Sequence, residues 1–147
     1  MKKIFQNVAI DNCSELVTLM TSLLSPGVLV FLDGDPGAGK TYLISQILKQ
    51  HNISDVTSPT FALHHKYTTP KLIFHHFDLY RVESEDELET VGVWELLGTQ
   101  ACFLIEWGAK FPAGIWPLSN KKVWIKITEG HSDSNSKATR NYEITTE

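Results

Sequence analysis

An α/β fold, with a mainly parallel sheet flanked by helices and additional antiparallel strands, is predicted by three features of this 147-residue chain. Residues 28–32 (VLVFL) and 101–105 (ACFLI) are apolar at every position, as strands covered on both faces must be. A glycine-rich segment, GDPGAGKT at 34–41, follows the first of these runs directly. The residues after it, 41–50, place Leu43, Ile44, Ile47 and Leu48 on one helical stripe, so the order is strand, loop, helix.

The other elements follow from period and punctuation. Residues 12–24 carry Leu16, Val17, Leu19, Met20, Leu23 and Leu24 at helical spacing, with Asp11 or Asn12 available as N-cap and Pro26-Gly27 closing the segment. Residues 61–67 and 72–80 read as two strands of an antiparallel hairpin turning at 68–71. Ser84 and Glu87 stand at capping-box spacing, so a short helix begins there, and 92–98 are expected to hold another turn. Residues 123–127 and 142–145 look like two more strands, separated by a polar, turn-rich stretch at 128–140 that reads as a loop. The N-terminal residues have two lysines and no continuous apolar stretch, and no element is assigned to them.

Composition narrows the class. Apolar residues make up 42% and charged residues 20%, so the expectation is one globular domain over residues 1–147 with a single core. The net charge of -4, with Arg81 and Arg140 as the two arginines, argues against a protein built to grip a nucleic-acid backbone. Cys13 and Cys102 form no paired motif, which fits reduced thiols. The longest apolar run, 28–32, is far too short to span a bilayer. A cytoplasmic protein without membrane association is expected.

GDPGAGKT fits G-x-x-x-x-G-K-[ST] at every fixed position, which makes the fold P-loop NTPase-like. Consecutive backbone N–H groups of such a loop, together with the positive end of the following helix, make a nest for phosphate oxygens. The nucleotide-binding candidates are therefore Gly34, Asp35, Pro36, Gly37, Ala38 and Gly39 in the loop, followed by Lys40, Thr41 and Tyr42. Lys40 reaches the β and γ oxygens, and the Thr41 hydroxyl ligates Mg²⁺. ATP and Mg²⁺ are the expected cofactors. The metal also needs a carboxylate from an adjacent strand, and Glu106, ending the ACFLIE run, is the candidate.

Asp78 is a second acid. In FHHFDLYR, period-two geometry sets Phe74, His76, Asp78 and Tyr80 on one face and His75, Phe77 and Leu79 on the other. Asp78 has two readings that spacing leaves open: it orients the attacking water or a metal-bound water, or it pairs locally with Arg81. Thr60 in TSPTF likewise reads either as a switch threonine or as part of an ordinary Ser-Pro turn. His64, His65, His75 and His76 tempt a zinc reading, but neighbours on a strand face opposite ways, so at most one of each pair can converge.

Two enzymatic rivals and one non-enzymatic rival are weighed. A small-molecule kinase usually rings its phosphate with arginines; here Arg81 is the candidate charge stabiliser in cis. A GTPase needs N-K-x-D, and Asn120-Lys121-Lys122-Val123 lacks the aspartate. A nucleotide-gated binding module with little turnover is hard to separate from a slow ATPase by sequence.

Taken in order, GDPGAGKT, SPTF, HHFDLYR, GVWELLG and LIEW closely resemble the bacterial TsaE family, formerly called YjeE. The resemblance spans nearly the whole chain. It implies a P-loop ATPase, weak alone, that supports formation of threonylcarbamoyladenosine beside the tRNA anticodon. Such a protein acts on the TsaB and TsaD proteins and does not transfer the group itself, and tRNA is met only indirectly. By motif, Lys40 and Thr41 hold phosphate and Mg²⁺, Thr60 lies in a switch-like loop, Asp78 is an active-site acid, Glu106 is the metal-linked acid and Trp107 lies beside the nucleotide. Pro36 stands where the family pattern has Leu, and Gly108 where Pro is frequent. Pro36 removes one N–H from the loop, which puts phosphate affinity in question.

Overall fold

The computed structural model describes residues 1–131 and 138–147. Its seven strands form one sheet in the order β1-β7-β6-β2-β5-β4-β3. The centre is parallel: β4 (Ile73–Asp78), β5 (Cys102–Glu106), β2 (Leu29–Asp33) and β6 (Lys122–Glu129) run in one direction. β3 (His64–Thr68) closes one side antiparallel to β4. β7 (Thr139–Thr146) and then β1 (Lys2–Ala9) extend the other, each antiparallel to its neighbour. This is the mainly parallel α/β sheet with antiparallel additions that the apolar runs predict.

Those runs are apolar throughout because both faces of the centre are covered. Val30 and Leu32 point toward α1 (Ser14–Leu23) and α2 (Lys40–Lys49), where Leu16, Met20, Ile44 and Ile47 pack on them. Leu29 and Phe31 point the other way, toward α3 (Glu85–Val91), α4 (Val93–Leu97) and Trp116. Phe31 stacks on Trp124 with ring centroids 4.0 Å apart and tilts against Trp116 at 4.9 Å. Among the described residues, no helix is long and apolar enough to cross a membrane.

Several local expectations change. β1 has no counterpart in the sequence reading, because an edge strand with an exposed face shows little alternation; Asn7, at φ 52°, breaks its register with β7. The N-cap of α1 falls on Cys13 rather than Asp11 or Asn12. The strand expected from 61 starts at His64, since Leu63 adopts φ 65° and its N–H bonds back to the Pro59 carbonyl. The turn expected within 92–98 is helical, α4 over Val93–Leu97: Gly92, at φ 85°, ends α3 and starts it. Ser84 caps α3 as its spacing predicts, accepting from the Glu87 N–H. Of the loop expected over 128–140, β6 takes the start through Glu129 and β7 the end from Thr139, while 132–137 lie outside the described residues.

Candidate nucleotide site

The site candidates gather at the carboxyl ends of the parallel strands, where open α/β sheets bind their ligands. Parallel register sets these ends level: Leu32 lies opposite Glu106, and Glu106 opposite Asp78. β2 then releases the chain into the glycine-rich loop, and the loop enters α2 at Lys40.

Within the loop, the Ala38 N–H bonds the Asp35 carbonyl at 2.9 Å, closing a tight turn with Pro36 second and Gly37 third. Gly37 has φ 82°. Proline second and a positive-φ glycine third is the type II pattern, so Pro36 occupies a position that favours its ring. Gly34 is needed for a different reason, as a Cβ there would lie 2.9 Å from the Ile127 carbonyl oxygen and 3.0 Å from Ala38 Cβ.

Lys40 is only 5% exposed. Its ammonium donates to the carbonyls of Gly34 and, at 3.0 Å, Asp35, and sits 4.3 Å from the centre of the Trp107 ring. Burial pulls its pKa below the ordinary lysine value, opposed by the carboxylates of Glu106, Asp33, Asp78 and Asp35. The next residue, Thr41, donates its hydroxyl to Glu106, 3.0 Å from Oε1 and 3.2 Å from Oε2. Glu106 is 3% exposed, and its Oε2 is also 2.6 Å from His76 Nε2.

Asp78 faces the same space. Oδ2 accepts from the hydroxyls of Ser58 at 3.1 Å and Thr60 at 3.2 Å, and Oδ1 accepts from the Tyr80 N–H at 3.0 Å. The local pairing with Arg81 is not formed: the Arg81 guanidinium lies over the Phe61 ring, 4.3 Å from its centre. Trp107 takes φ 66°, and Gly108 after it packs so closely that a Cβ would come 2.5 Å from Phe31. That contact explains the glycine at this position.

Two adjoining clefts result, of about 380 and about 450 Å³, sharing Pro36, Gly37 and Trp107. The smaller holds Gly39, Lys40, Thr41, Tyr42, Thr60, Asp78 and Glu106. The larger is walled by Gly34, Asp35 and Ala38 on one side and by Lys126, Thr128, Glu129 and Arg140 on the other. Every nucleotide-binding, metal and catalytic candidate named from the motifs therefore lines one cleft or the other. Arg81 lines neither. Chemically, the smaller cleft combines the end of the glycine-rich loop, the Lys40 ammonium and clustered oxygen donors of the type that hard divalent ions take.

The sequence model of the family described as threonylcarbamoyl adenosine biosynthesis protein TsaE matches residues 9–140. The chain belongs to the TsaE family. A tRNA threonylcarbamoyladenosine biosynthesis protein TsaE of Rickettsia prowazekii (strain Madrid E) is 40% identical over 91 residues, covering 60% of this chain and 62% of that protein. The protein of that name from Haemophilus influenzae is 39% identical over 99 residues, covering 67% of this chain and 62% of its own length. That from Rickettsia conorii is 30% identical over 139 residues, covering 87% and 79%. The chain thus matches about three fifths of the length of the first two. The crystal structure of YdiB from Bacillus subtilis superposes with a TM-score of 0.66 at 23% identity, covering 99% of this chain and 85% of that one, a likeness of fold.

In this TsaE-family site, sequence reasoning missed His76, Tyr80 and Arg140. His76 shares a face with Asp78, a signal already visible in the alternation, but its partner Glu106 stands on another strand. Arg140 donates its Nε–H to the Ala38 carbonyl at 3.2 Å, tying β7 to the loop across most of the chain, and no local pattern announces that. The four histidines divide as alternation requires: His64 and His75 meet at 2.7 Å on one face of the hairpin, while His76 faces Glu106 on the other. Among the described residues, no group of three such side chains converges as a metal site.

Proposed function

We propose that this chain is a Mg²⁺-dependent ATPase serving threonylcarbamoyladenosine formation on tRNA, and that it works on a TsaB–TsaD pair without transferring the group itself. The observation that carries the ATPase reading is the Thr41 hydroxyl 3.0 Å from the buried Glu106 carboxylate, beside Lys40 at the mouth of the glycine loop. Both are hard oxygen ligands of the kind Mg²⁺ accepts, so the residues fit the metal. The family name supports the pathway, and the motif resemblance implies the TsaB and TsaD partners.

In this reading, the loop N–H groups and Lys40 bind the β and γ phosphates, and Thr41 and Glu106 hold the metal, which when bound neutralises phosphate charge. Asp78, already accepting from the Ser58 and Thr60 hydroxyls, orients the attacking water and takes its proton. Trp107 walls both clefts and helps exclude solvent. The larger cleft, bounded by Lys126, Thr128, Glu129 and Arg140, takes ribose and adenine. Asn120, which only superficially resembles the Asn of a guanine-reading N-K-x-D motif, donates its amide to the Gly27 carbonyl at 2.7 Å, before the start of β2. That is the opposite end of the strand from the loop, which favours ATP over GTP. Arg81 stands outside both clefts, which weakens the kinase alternative.

The test is steady-state ATP hydrolysis with and without TsaB and TsaD. We expect slow turnover alone, stimulation by the pair, and loss of the stimulated rate in Lys40→Ala and Glu106→Ala. A stimulated rate that both substitutions leave intact would overturn the proposal.

A further inference from the structure

His76 has no solvent exposure and lines neither cleft. It cannot touch a nucleotide, yet its imidazole Nε2 lies 2.6 Å from Glu106 Oε2. Its other ring nitrogen, Nδ1, has no hydrogen-bond partner among the described residues. A histidine kept only to fill space would be a poor choice there, since an apolar side chain could occupy the same volume without leaving a buried polar atom unpaired.

The geometry around Glu106 shows what the imidazole does. The terminal torsion of a glutamate is broad and two-fold, so a carboxylate held at one point can still rotate. Here two donors restrict it: the imidazole N–H at Oε2, and the Thr41 hydroxyl, nearer to Oε1 at 3.0 Å than to Oε2 at 3.2 Å. Register makes the first contact available. His76 lies opposite Leu104 on β5 and Asp78 opposite Glu106, so the Glu106 side chain leans back along the sheet to reach the imidazole.

We propose that His76 is a positioning residue: by donating Nε2–H to Glu106 Oε2 it fixes the plane of the carboxylate and leaves Oε1 turned to the metal side of the smaller cleft. The inference rests on the reading of that cleft as a Mg²⁺–ATP site. Partners of metal ligands in this outer position commonly set metal affinity by about tenfold or more.

The test reads the gain in affinity for a non-hydrolysable ATP analogue when Mg²⁺ replaces EDTA, measured by calorimetry on the wild-type chain and on three variants. His76→Leu removes the donor, His76→Asn shortens its reach, and His76→Gln returns an N–H near the position of Nε2. We expect His76→Leu and His76→Asn to cut the Mg²⁺-dependent gain about tenfold while affinity in EDTA stays at the wild-type value. We expect His76→Gln to recover most of the gain. If His76→Leu does not fold, the comparison of His76→Asn with His76→Gln carries the same reading. A full gain in His76→Leu and His76→Asn would overturn the inference alone, as would a loss of affinity in EDTA that parallels the loss of gain. A wild-type chain with no gain would overturn the metal reading and this inference with it.

Discussion

His75 and His76 are neighbours in sequence that live in different chemistry. His76 meets the carboxylate of Glu106, which lines the smaller cleft. His75 turns toward the aromatic side, stacked on Phe103 with centroids 5.4 Å apart and joined to His64. Burial, together with His64 and Lys66, depresses the His75 pKa from an ordinary 6.5 to about 4. One step along a strand exchanges a working face for a packing face, because side chains alternate across the sheet. β5 repeats the lesson: Glu106 ends the strand at the smaller cleft, while Ile105 before it belongs to the aromatic core.

If the two faces divide the labour this way, substitutions on each should move different measurements. The largest effect is expected from Phe103→Ala on the packing face. Truncating this fully buried ring should cost about 3–5 kcal/mol in urea unfolding, while the folded fraction binds ATP as the wild type does. A loss of ATP affinity in folded Phe103→Ala would break the comparison. On the working face, Asp78→Asn keeps the shape and removes the proton acceptor. Hydrolysis should fall about 100-fold with ATP binding retained, read by single-turnover kinetics beside equilibrium binding.

The smallest expected effect is a slope. Between pH 6.5 and about 4, the unfolded chain takes a proton at position 75 that the folded chain refuses. Stability from this group is therefore fully present above pH 6.5 and declines as pH falls toward 4. His75→Leu should flatten part of that decline in unfolding curves recorded across the range. An unchanged slope would mean that the proton goes elsewhere.

What the sequence disclosed follows from how local each signal is. The glycine loop, the runs at 28–32 and 101–105 and the Ser84 cap are written in consecutive residues, and the structure places each where its pattern points. β1 was hidden because an exposed edge strand has no buried face to impose alternation. The bond from His76 to Glu106 was hidden because it joins strands 30 residues apart, and Arg140 because it reaches Ala38 from the far end of the chain. The apolar run at 61–63 misled in the opposite sense: Phe61, 84% exposed, lies under the Arg81 guanidinium outside any strand. Pro36 looked like a defect when only its missing N–H was counted. In the turn closed by Ala38 N–H, its fixed φ is what the second position requires.

The ammonium of Lys40 already has company: two carbonyl oxygens of its own loop and the face of Trp107. Binding a polyphosphate is then an exchange of partners rather than the capture of a bare charge, and only the difference between the two sets of contacts appears as affinity. In the proposed ATPase such a trade would temper the grip on the nucleotide. By the same exchange, the carbonyls of Gly34 and Asp35 would take the cation back as product leaves.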